Sequence, residues 1–124
     1  MLVYSDAMYD MATGKAQIGF AVWSPFRVGP GRSGWVHSYL DVSNLVSTLF
    51  TPRAQYITQL EVLAALAVYM SVPSWVAGRR VLHFVDNQGA LSNLISCSSK
   101  DLDLRVDGSR FCDPRRATFV WRLV

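Results

Sequence analysis

The alternation of apolar and polar side chains near the start of the chain predicts a β-hairpin. Residues 2–9 (LVYSDAMY) begin apolar and β-prone, and residues 16–24 (AQIGFAVWS) form a second run of the same kind. Between them, the polar segment 10–15 contains Gly14, which tolerates the positive φ of a tight turn. Two strands joined by so short a connection are expected to pair antiparallel.

A third strand is predicted over residues 34–42 (GWVHSYLDV), where apolar and polar side chains alternate as they do in a half-buried strand. Residues 26–34 precede it and contain three glycines and a proline, so they predict a loop. The first three strands are therefore expected to form an antiparallel meander.

A helix and a buried strand follow the meander. Residues 60–70 are apolar almost all round and predict a helix that is covered on most sides. This helix begins either around Pro52 or near Ile57 and ends before Pro73. Residues 81–85 (VLHFV) are a short apolar run typical of a buried strand. Because a helical crossover separates this strand from the meander, we expect it to pair parallel to the first strand.

The last third of the chain predicts a second helix and a final strand. Either Asn87 or Gln88 can cap the helix, which ends near Cys97. Residues 98–116 are polar and predict no regular element, whereas residues 117–124 (ATFVWRLV) predict a fifth strand. The chain is thus expected to form a single domain over residues 1–124, an α/β fold with a mixed sheet and helices packed against it.

Composition narrows the classes of protein that this chain can belong to. Hydrophobic residues make up 51% of the 124 positions, which favours a folded globule over a disordered chain. The net charge of +3 is compatible with a polyanionic partner but does not require one. Cys97 and Cys112 lack the spacing of metal ligands, and no secretory signal precedes them, so we expect a reduced, intracellular protein, cytoplasmic or nuclear. The longest strongly apolar run, residues 62–70, is too short to span a bilayer, and no membrane partner is expected.

Three of the few acidic residues, Asp6, Glu61 and Asp86, stand in apolar surroundings, where an unpaired charge is costly. If the first and fourth strands are neighbours and the helix covers them, the three carboxylates converge to within about 4–7 Å, as two-ion sites require. Such a cluster repels itself unless a hard cation neutralises it, and Mg²⁺ or Mn²⁺ prefers oxygen ligands. The pattern therefore predicts a site for two divalent ions.

Each of these acids also has a purely structural interpretation. Asp6 can accept hydrogen bonds from backbone amides near a strand bulge, Glu61 can close a capping box with Thr58, and Asp86 can cap the helix that follows it.

The two histidines and the four tryptophans have structural interpretations as well. His37 and His83 both fall within predicted strands and are expected to be packed and hydrogen-bonded. The tryptophans are expected at the core and its rim rather than in a base-stacking platform.

The segments around the three acids resemble one known family. YSDA around Asp6, ITQLEVLAALAVY around Glu61 and VLHFVDNQGALSNLI around Asp86 are similar to the ribonuclease H domains attached to the reverse transcriptases of retroelements. The resemblance implies a ribonuclease H-like fold, a five-stranded mixed sheet of order 3-2-1-4-5 with flanking helices. It also implies Mg²⁺-dependent hydrolysis of the RNA strand of an RNA/DNA hybrid by two ions, with the three acids as catalytic metal ligands. The residues expected to contact nucleic acid are Asn87, Arg79, Arg80, Arg115 and Arg116.

The resemblance covers residues 3–104 and has one departure. The family places a fourth carboxylate after the fifth strand, and this sequence has none there; Asp107 or Asp113 can substitute. We therefore expect a C-terminally incomplete domain with an impaired nuclease activity, which is a fragment of a polyprotein, a decayed copy or a shortened variant. If it is a fragment, a reverse transcriptase domain in the parent polyprotein is the expected partner. Two alternatives stay open: a non-catalytic module of the same fold that binds nucleic acid, and an interaction domain that packs against a polymerase.

Overall fold

The computed structural model describes residues 1–96 in full and the backbone of residues 118–123. The strands are β1 (Leu2–Asp10), β2 (Lys15–Gly29), β3 (Arg32–Asp41), β4 (Arg80–Val85) and β5 (Thr118–Leu123). The helices are α1 (Ser43–Leu49), α2 (Ile57–Ser71), α3 (Pro73–Val76) and α4 (Gln88–Ser96). In the described ranges, none of the helices is long and apolar enough to cross a membrane.

The five strands form one mixed sheet of order β3-β2-β1-β4-β5, which confirms the predicted order. β1 pairs antiparallel with β2, from Leu2 opposite Trp23 to Asp10 opposite Lys15. On its other side β1 runs parallel to β4, and β4 runs parallel to β5. The crossovers through α2 and α4 explain the parallel pairs, because a parallel partner requires a long connection.

The helices cover one face of the sheet. On that face, alternate residues of the strands meet α2, whose apolar surface extends almost all the way round, as predicted. One cluster joins α1 and α2 to β2 and contains Ala16, Ile18, Val42, Val46, Tyr56, Leu60 and Ala64. A second joins α2 to α3, β1, β2 and β4 and contains Val3, Val22, Val68, Val76 and Val81. A third joins α2 to α4 and β4 and contains Val62, Ala65, Val85, Ala90 and Leu94. The opposite face of the sheet is called the open face below.

The predicted packing of the histidines holds for one of the two. His83 on β4 is fully buried; its Nε2 lies 2.8 Å from the Ser5 hydroxyl and its Nδ1 lies 2.6 Å from the Tyr69 hydroxyl. Burial lowers the pKa of His83 to about 3, so the ring is neutral and both nitrogens are satisfied. His37 on β3 is exposed instead, because it alternates with Val36, which takes the position facing the core.

The loop predicted over residues 26–34 is wrong. β2 continues to Gly29 and β3 begins at Arg32, so only Pro30 and Gly31 connect them, and Gly31 has a φ of +69°. The pairing register shifts between Trp23 and Val28, which marks an irregularity in the pairing of β2 with β3. The glycines and the proline therefore serve a turn and a bulge within one long hairpin.

Two short helices, α1 and α3, were not predicted from the sequence. α1 follows β3 directly, and Val46 anchors it in the core. α3 begins at Pro73, which we expected only to end the preceding helix; a proline is well suited to the first turn of a helix. Because these helices span only 7 and 4 residues, they carry too few turns for a helical period to stand out in the sequence.

Candidate metal centre

Three secondary-structure elements bring one carboxylate each to a common point. Asp6 lies in the middle of β1, Glu61 lies in the second turn of α2, and Asp86 directly follows β4. One oxygen from each of these side chains lies within 4.8 Å of the others. β1 and β4 are parallel neighbours and α2 packs across them, so this topology is what makes the convergence possible.

The three carboxylates differ in how they meet solvent. Asp6 and Asp86 are exposed, whereas Glu61 is only 1% exposed. The backbone N–H of Ala7 donates to Asp6 Oδ1 at 2.8 Å and to Glu61 Oε1 at 3.0 Å, which fixes one oxygen of each acid. Glu61 Oε2 is buried and has no hydrogen-bond partner among the described residues. An oxygen in that position is costly unless something else neutralises it.

Burial and like charge together disfavour the ionised form of Glu61. Its pKa is raised from the ordinary value of 4.5 to about 8, first by burial and then by the neighbouring carboxylates of Asp86 and Asp6. The hydrogen bond from the Ala7 N–H acts in the opposite direction but does not compensate. Without a cation, the cluster therefore holds a proton at neutral pH.

The donor set suits a hard divalent cation. All three side chains offer oxygen, which Mg²⁺ and Mn²⁺ prefer, and the unpartnered Glu61 Oε2 is an acceptor without a donor. A cation at this point relieves both the repulsion among the acids and the burial of Glu61. These residues therefore fit a metal centre, although carboxylate oxygens alone do not select between the two ions.

The structural interpretations of the three acids have different outcomes. The capping box is wrong, because α2 begins at Ile57 after Tyr56 and Glu61 accepts from Ala7 in β1. Asp86 does not cap α4, since the N–H of Ala90 donates to Asn87 Oδ1 at 2.8 Å. Asp6 does accept a backbone N–H, as the structural interpretation held, but the adjoining pairing of β1 with β2 is regular and contains no bulge.

Asn87 stands where α2 and α4 approach each other. Its side-chain oxygen caps α4 and also lies 3.5 Å from the hydroxyl of Thr58 in the first turn of α2. Gly89 allows this approach, because a Cβ there would lie 3.2 Å from Asn87 Oδ1 and 3.4 Å from Thr58. The role of Asn87 in contacting nucleic acid stays a prediction.

Replacement of Asn87 by alanine is expected to destabilise the fold. The Asn87→Ala change leaves the N–H of Ala90 without its acceptor, and loss of a helix cap costs about 1 kcal/mol. Chemical denaturation of both proteins measures the difference. Asn87→Ser is the matched control, because serine is an equally good cap, and an equal loss in both variants would contradict this assignment.

Of the arginines predicted to bind phosphate, the two that the structure describes, Arg79 and Arg80, lie far from the carboxylates. Arg79 and Arg80 are at the start of β4 and Asp86 follows its end, so about 20 Å of extended chain separates them. The guanidinium carbon of Arg79 lies 3.7 Å from the centre of the Phe26 ring, so Arg79 packs against the last third of β2. Four residues named from the sequence lie outside the described ranges: Arg115, Arg116, Asp107 and Asp113.

One feature of the site escaped the sequence analysis. A groove of about 370 Å³ on the open face adjoins the carboxylates, and both Asp6 and Asp86 line it. The other lining residues are Tyr4, Ser5, Gly19, Phe20, Ala21 and Phe84. The alternation of side chains along β1 and β2 indicates which residues of each strand share a face. Which residues of the two strands lie side by side depends on the pairing register, and the sequence alone does not show it.

The fold is similar to that of a solved ribonuclease H1 from the halophilic archaeon Halobacterium salinarum NRC-1. The two structures superpose with a TM-score of 0.64 at 18% sequence identity, over 99% of this chain and 83% of that chain. The sequence matches no known protein-family profile and no curated protein. The likeness establishes a ribonuclease H-like fold, as the sequence motifs predicted.

Proposed function

We propose that this chain is a metal-dependent nuclease that hydrolyses the RNA strand of RNA/DNA hybrids. One observation carries the proposal: the buried, unpartnered Oε2 of Glu61 beside the carboxylates of Asp6 and Asp86, on a ribonuclease H-like sheet. An ionised buried acid without a donor is unfavourable for the fold alone, and a bound cation would account for its position. The solved neighbour is a ribonuclease H1, and its activity supports the same reaction class here.

In this proposal Asp6, Glu61 and Asp86 hold two Mg²⁺ or Mn²⁺ ions. When bound, such ions activate a water for attack on the phosphodiester and stabilise the departing 3′-oxygen. Asp6 and Asp86 are exposed at the groove, so their oxygens face an arriving phosphate. The Ala7 N–H fixes Glu61 Oε1, and Oε2 is buried, so the side chain has little freedom to move.

The wider context is proposed from the sequence motifs. Their resemblance to retroelement ribonuclease H domains supports an intracellular origin beside a reverse transcriptase, which would present the hybrid. Asn87, Arg79, Arg80, Arg115 and Arg116 stay the candidates for contact with the nucleic-acid backbone.

A labelled 20-base-pair RNA/DNA hybrid tests the function. We expect the RNA strand alone to be cut, slowly or not measurably in Mg²⁺ and faster in Mn²⁺. Only three carboxylates converge within the described ranges, and Mg²⁺ demands near-ideal octahedral geometry, so it suffers most from an incomplete ligand set. Single-stranded RNA and the DNA duplex of the same sequence are the controls, read on denaturing gels.

The alternative is a binding module of the same fold without catalysis. The distance of the arginine pair at the start of β4 from the carboxylates is compatible with it, because a duplex contacts a surface of that length. Retention of the hybrid in a gel shift, with no cleavage in either ion, would favour this alternative over the enzyme.

A further inference from the structure

A network of side-chain hydrogen bonds crosses the core between α2 and the sheet. It consists of Ser5, His83 and Tyr69 and is called the buried network below. His83 Nε2 lies 2.8 Å from the Ser5 hydroxyl, and His83 Nδ1 lies 2.6 Å from the Tyr69 hydroxyl. His83 is fully buried, and Ser5 is only 6% exposed. Because each hydroxyl can donate or accept, a neutral imidazole satisfies both contacts in either tautomer.

The buried network joins the same three elements that carry the three acids. Ser5 belongs to β1 and directly precedes the aspartate of that strand. His83 belongs to β4 and stands close before the aspartate that follows this strand. Tyr69 belongs to α2 and lies about two turns after the glutamate of that helix. Each acid is therefore linked to one member of the network through a short segment of regular strand or helix.

The backbone pairing of β1 with β4 ends before it reaches the acids. The register of the two strands extends as far as Tyr4 opposite Phe84, so it stops short of the aspartate that each strand contributes. The contact between Ser5 and His83 joins the same two strands by their side chains at this end of the register. It therefore restrains the strands where the ladder of backbone hydrogen bonds no longer does.

Packing alone does not call for polar side chains at this place. Val81 and Val85, the neighbours of His83 on the same face of β4, pack into apolar clusters with residues of α2. Apolar packing is not directional, whereas a complete set of buried hydrogen bonds fixes one arrangement of the elements that it joins. The three carboxylates repel one another when no cation is bound, and after burial this repulsion is what raises the pKa of Glu61. The site therefore needs a directional restraint.

We propose that Ser5, His83 and Tyr69 are positioning residues, whose hydrogen bonds hold β1, β4 and α2 at the spacing at which the three carboxylates share a divalent cation. This inference rests on the metal centre of the proposed function and deepens it. It assigns part of the affinity for the ion to side chains that do not touch the ion. Loss of either hydroxyl then lets the elements move apart under the repulsion among the acids, and the ion binds more weakly.

Ser5→Ala and Tyr69→Phe each remove one hydroxyl of the buried network and keep the rest of the side chain. We expect Ser5→Ala to bind Mn²⁺ about tenfold more weakly than the wild type, the low end of what outer partners of a metal site contribute. Tyr69→Phe should also weaken binding, although its hydroxyl belongs to a residue about 12 Å along the helix axis from Glu61. Titration at pH 8, followed by the electron paramagnetic resonance of free Mn²⁺, measures both affinities.

Two matched variants separate positioning from a general loss of stability. Ser43→Ala removes a hydroxyl that accepts the Ala16 N–H at 2.9 Å and donates to Asp41 Oδ1 at 2.6 Å. Tyr56→Phe removes the hydroxyl of a buried tyrosine, which accepts the Arg53 N–H at 3.0 Å. These variants make the same two chemical changes and also lose hydrogen bonds, but outside the buried network. We therefore expect both to keep the wild-type affinity for Mn²⁺ whatever stability they lose.

The outcomes distinguish this inference from the proposed function. Equal Mn²⁺ affinity in the wild type and all four variants would overturn the inference and leave the metal centre intact. A wild type that binds no Mn²⁺ would remove the proposed function, and hydrogen exchange of the Ala7 amide in EDTA then decides the inference. This N–H donates to Asp6 and Glu61, so it should exchange faster in Ser5→Ala and Tyr69→Phe than in their matched controls. Exchange at equal rates would overturn the inference.

Discussion

Asp86→Asn is expected to remove the metal-dependent cleavage of an RNA/DNA hybrid while the fold persists. The amide keeps the shape of the side chain but loses the charge that holds a divalent cation. Because partners that only support metal ligands already cost about 10–100-fold when removed, loss of a ligand itself is expected to cost roughly a hundredfold or more. Initial cleavage rates in Mn²⁺, where the wild type is expected to be fastest, measure the loss.

The charge-matched control is Asp41→Asn, on β3 outside the cluster. Asp41 accepts the N–H and the hydroxyl of Ser43 through Oδ1, which an asparagine retains. This variant has the same net charge as Asp86→Asn, so it isolates the position from the general electrostatic effect on nucleic-acid binding. We expect wild-type rates from it.

The stability of Asp86→Asn is the second quantity to compare with the wild type. Asp86 is exposed, and its removal relieves repulsion on Glu61, so the free energy of unfolding without metal should stay within about 0.5 kcal/mol of wild type or rise. Cleavage that survives in a folded Asp86→Asn protein would end the assignment of this residue as a metal ligand.

The pattern of apolar and polar residues predicted those features of the site that depend on one strand or one helix alone. The position of Asp6 in a strand and of Asp86 just after another strand follows from where apolar runs begin and stop. Glu61 is a charged residue within a helix that is apolar almost all round, and such a helix has no solvent-exposed face on which a charged side chain can lie. Placing the three together then needed only the parallel pairing that a helical crossover imposes.

What the sequence did not predict depends on contacts between elements. The shared donor of Asp6 and Glu61 is a backbone N–H, that of Ala7, and no side-chain pattern reveals it. The exposure of His37 follows from which face of β3 meets the helices, and a strand pattern alone fixes only the alternation. The groove likewise depends on Gly19 lying beside Asp6, a match set by the register of β1 with β2.

Glu61 is expected to make the metal-free protein less stable as the pH rises. Its pKa is about 8 in the folded chain and 4.5 ordinarily, so between these values the folded state binds a proton that the unfolded state has released. The stabilisation is complete below pH 4.5 and is lost as the pH rises through 8, by up to about 1.4 kcal/mol per pH unit.

Comparison with Glu61→Gln isolates this residue from the rest of the chain. The buried His83 has a lowered pKa of about 3, so the folded state loses stability as the pH falls from about 6.5, and this effect is common to both proteins. Glutamine keeps an oxygen for the Ala7 N–H and places an amide donor near the two aspartates. We therefore expect Glu61→Gln to be more stable than wild type at pH 8 without metal, and the difference to shrink towards pH 5.

A divalent cation should make the wild type more stable than Glu61→Gln at pH 8. An ion binds the folded cluster alone, so at ten times its dissociation constant it stabilises the wild type by about 1.4 kcal/mol, roughly 3–6 °C in melting temperature. The gain should be larger at pH 8 than at pH 5, because binding at the lower pH must first displace the proton of Glu61. Thermal melts of both proteins at the two pH values, with EDTA or with 10 mM Mn²⁺, measure all of this. A wild-type melting curve that Mn²⁺ leaves unmoved at pH 8, or a Glu61→Gln protein that responds equally, would show that these carboxylates do not form a metal centre.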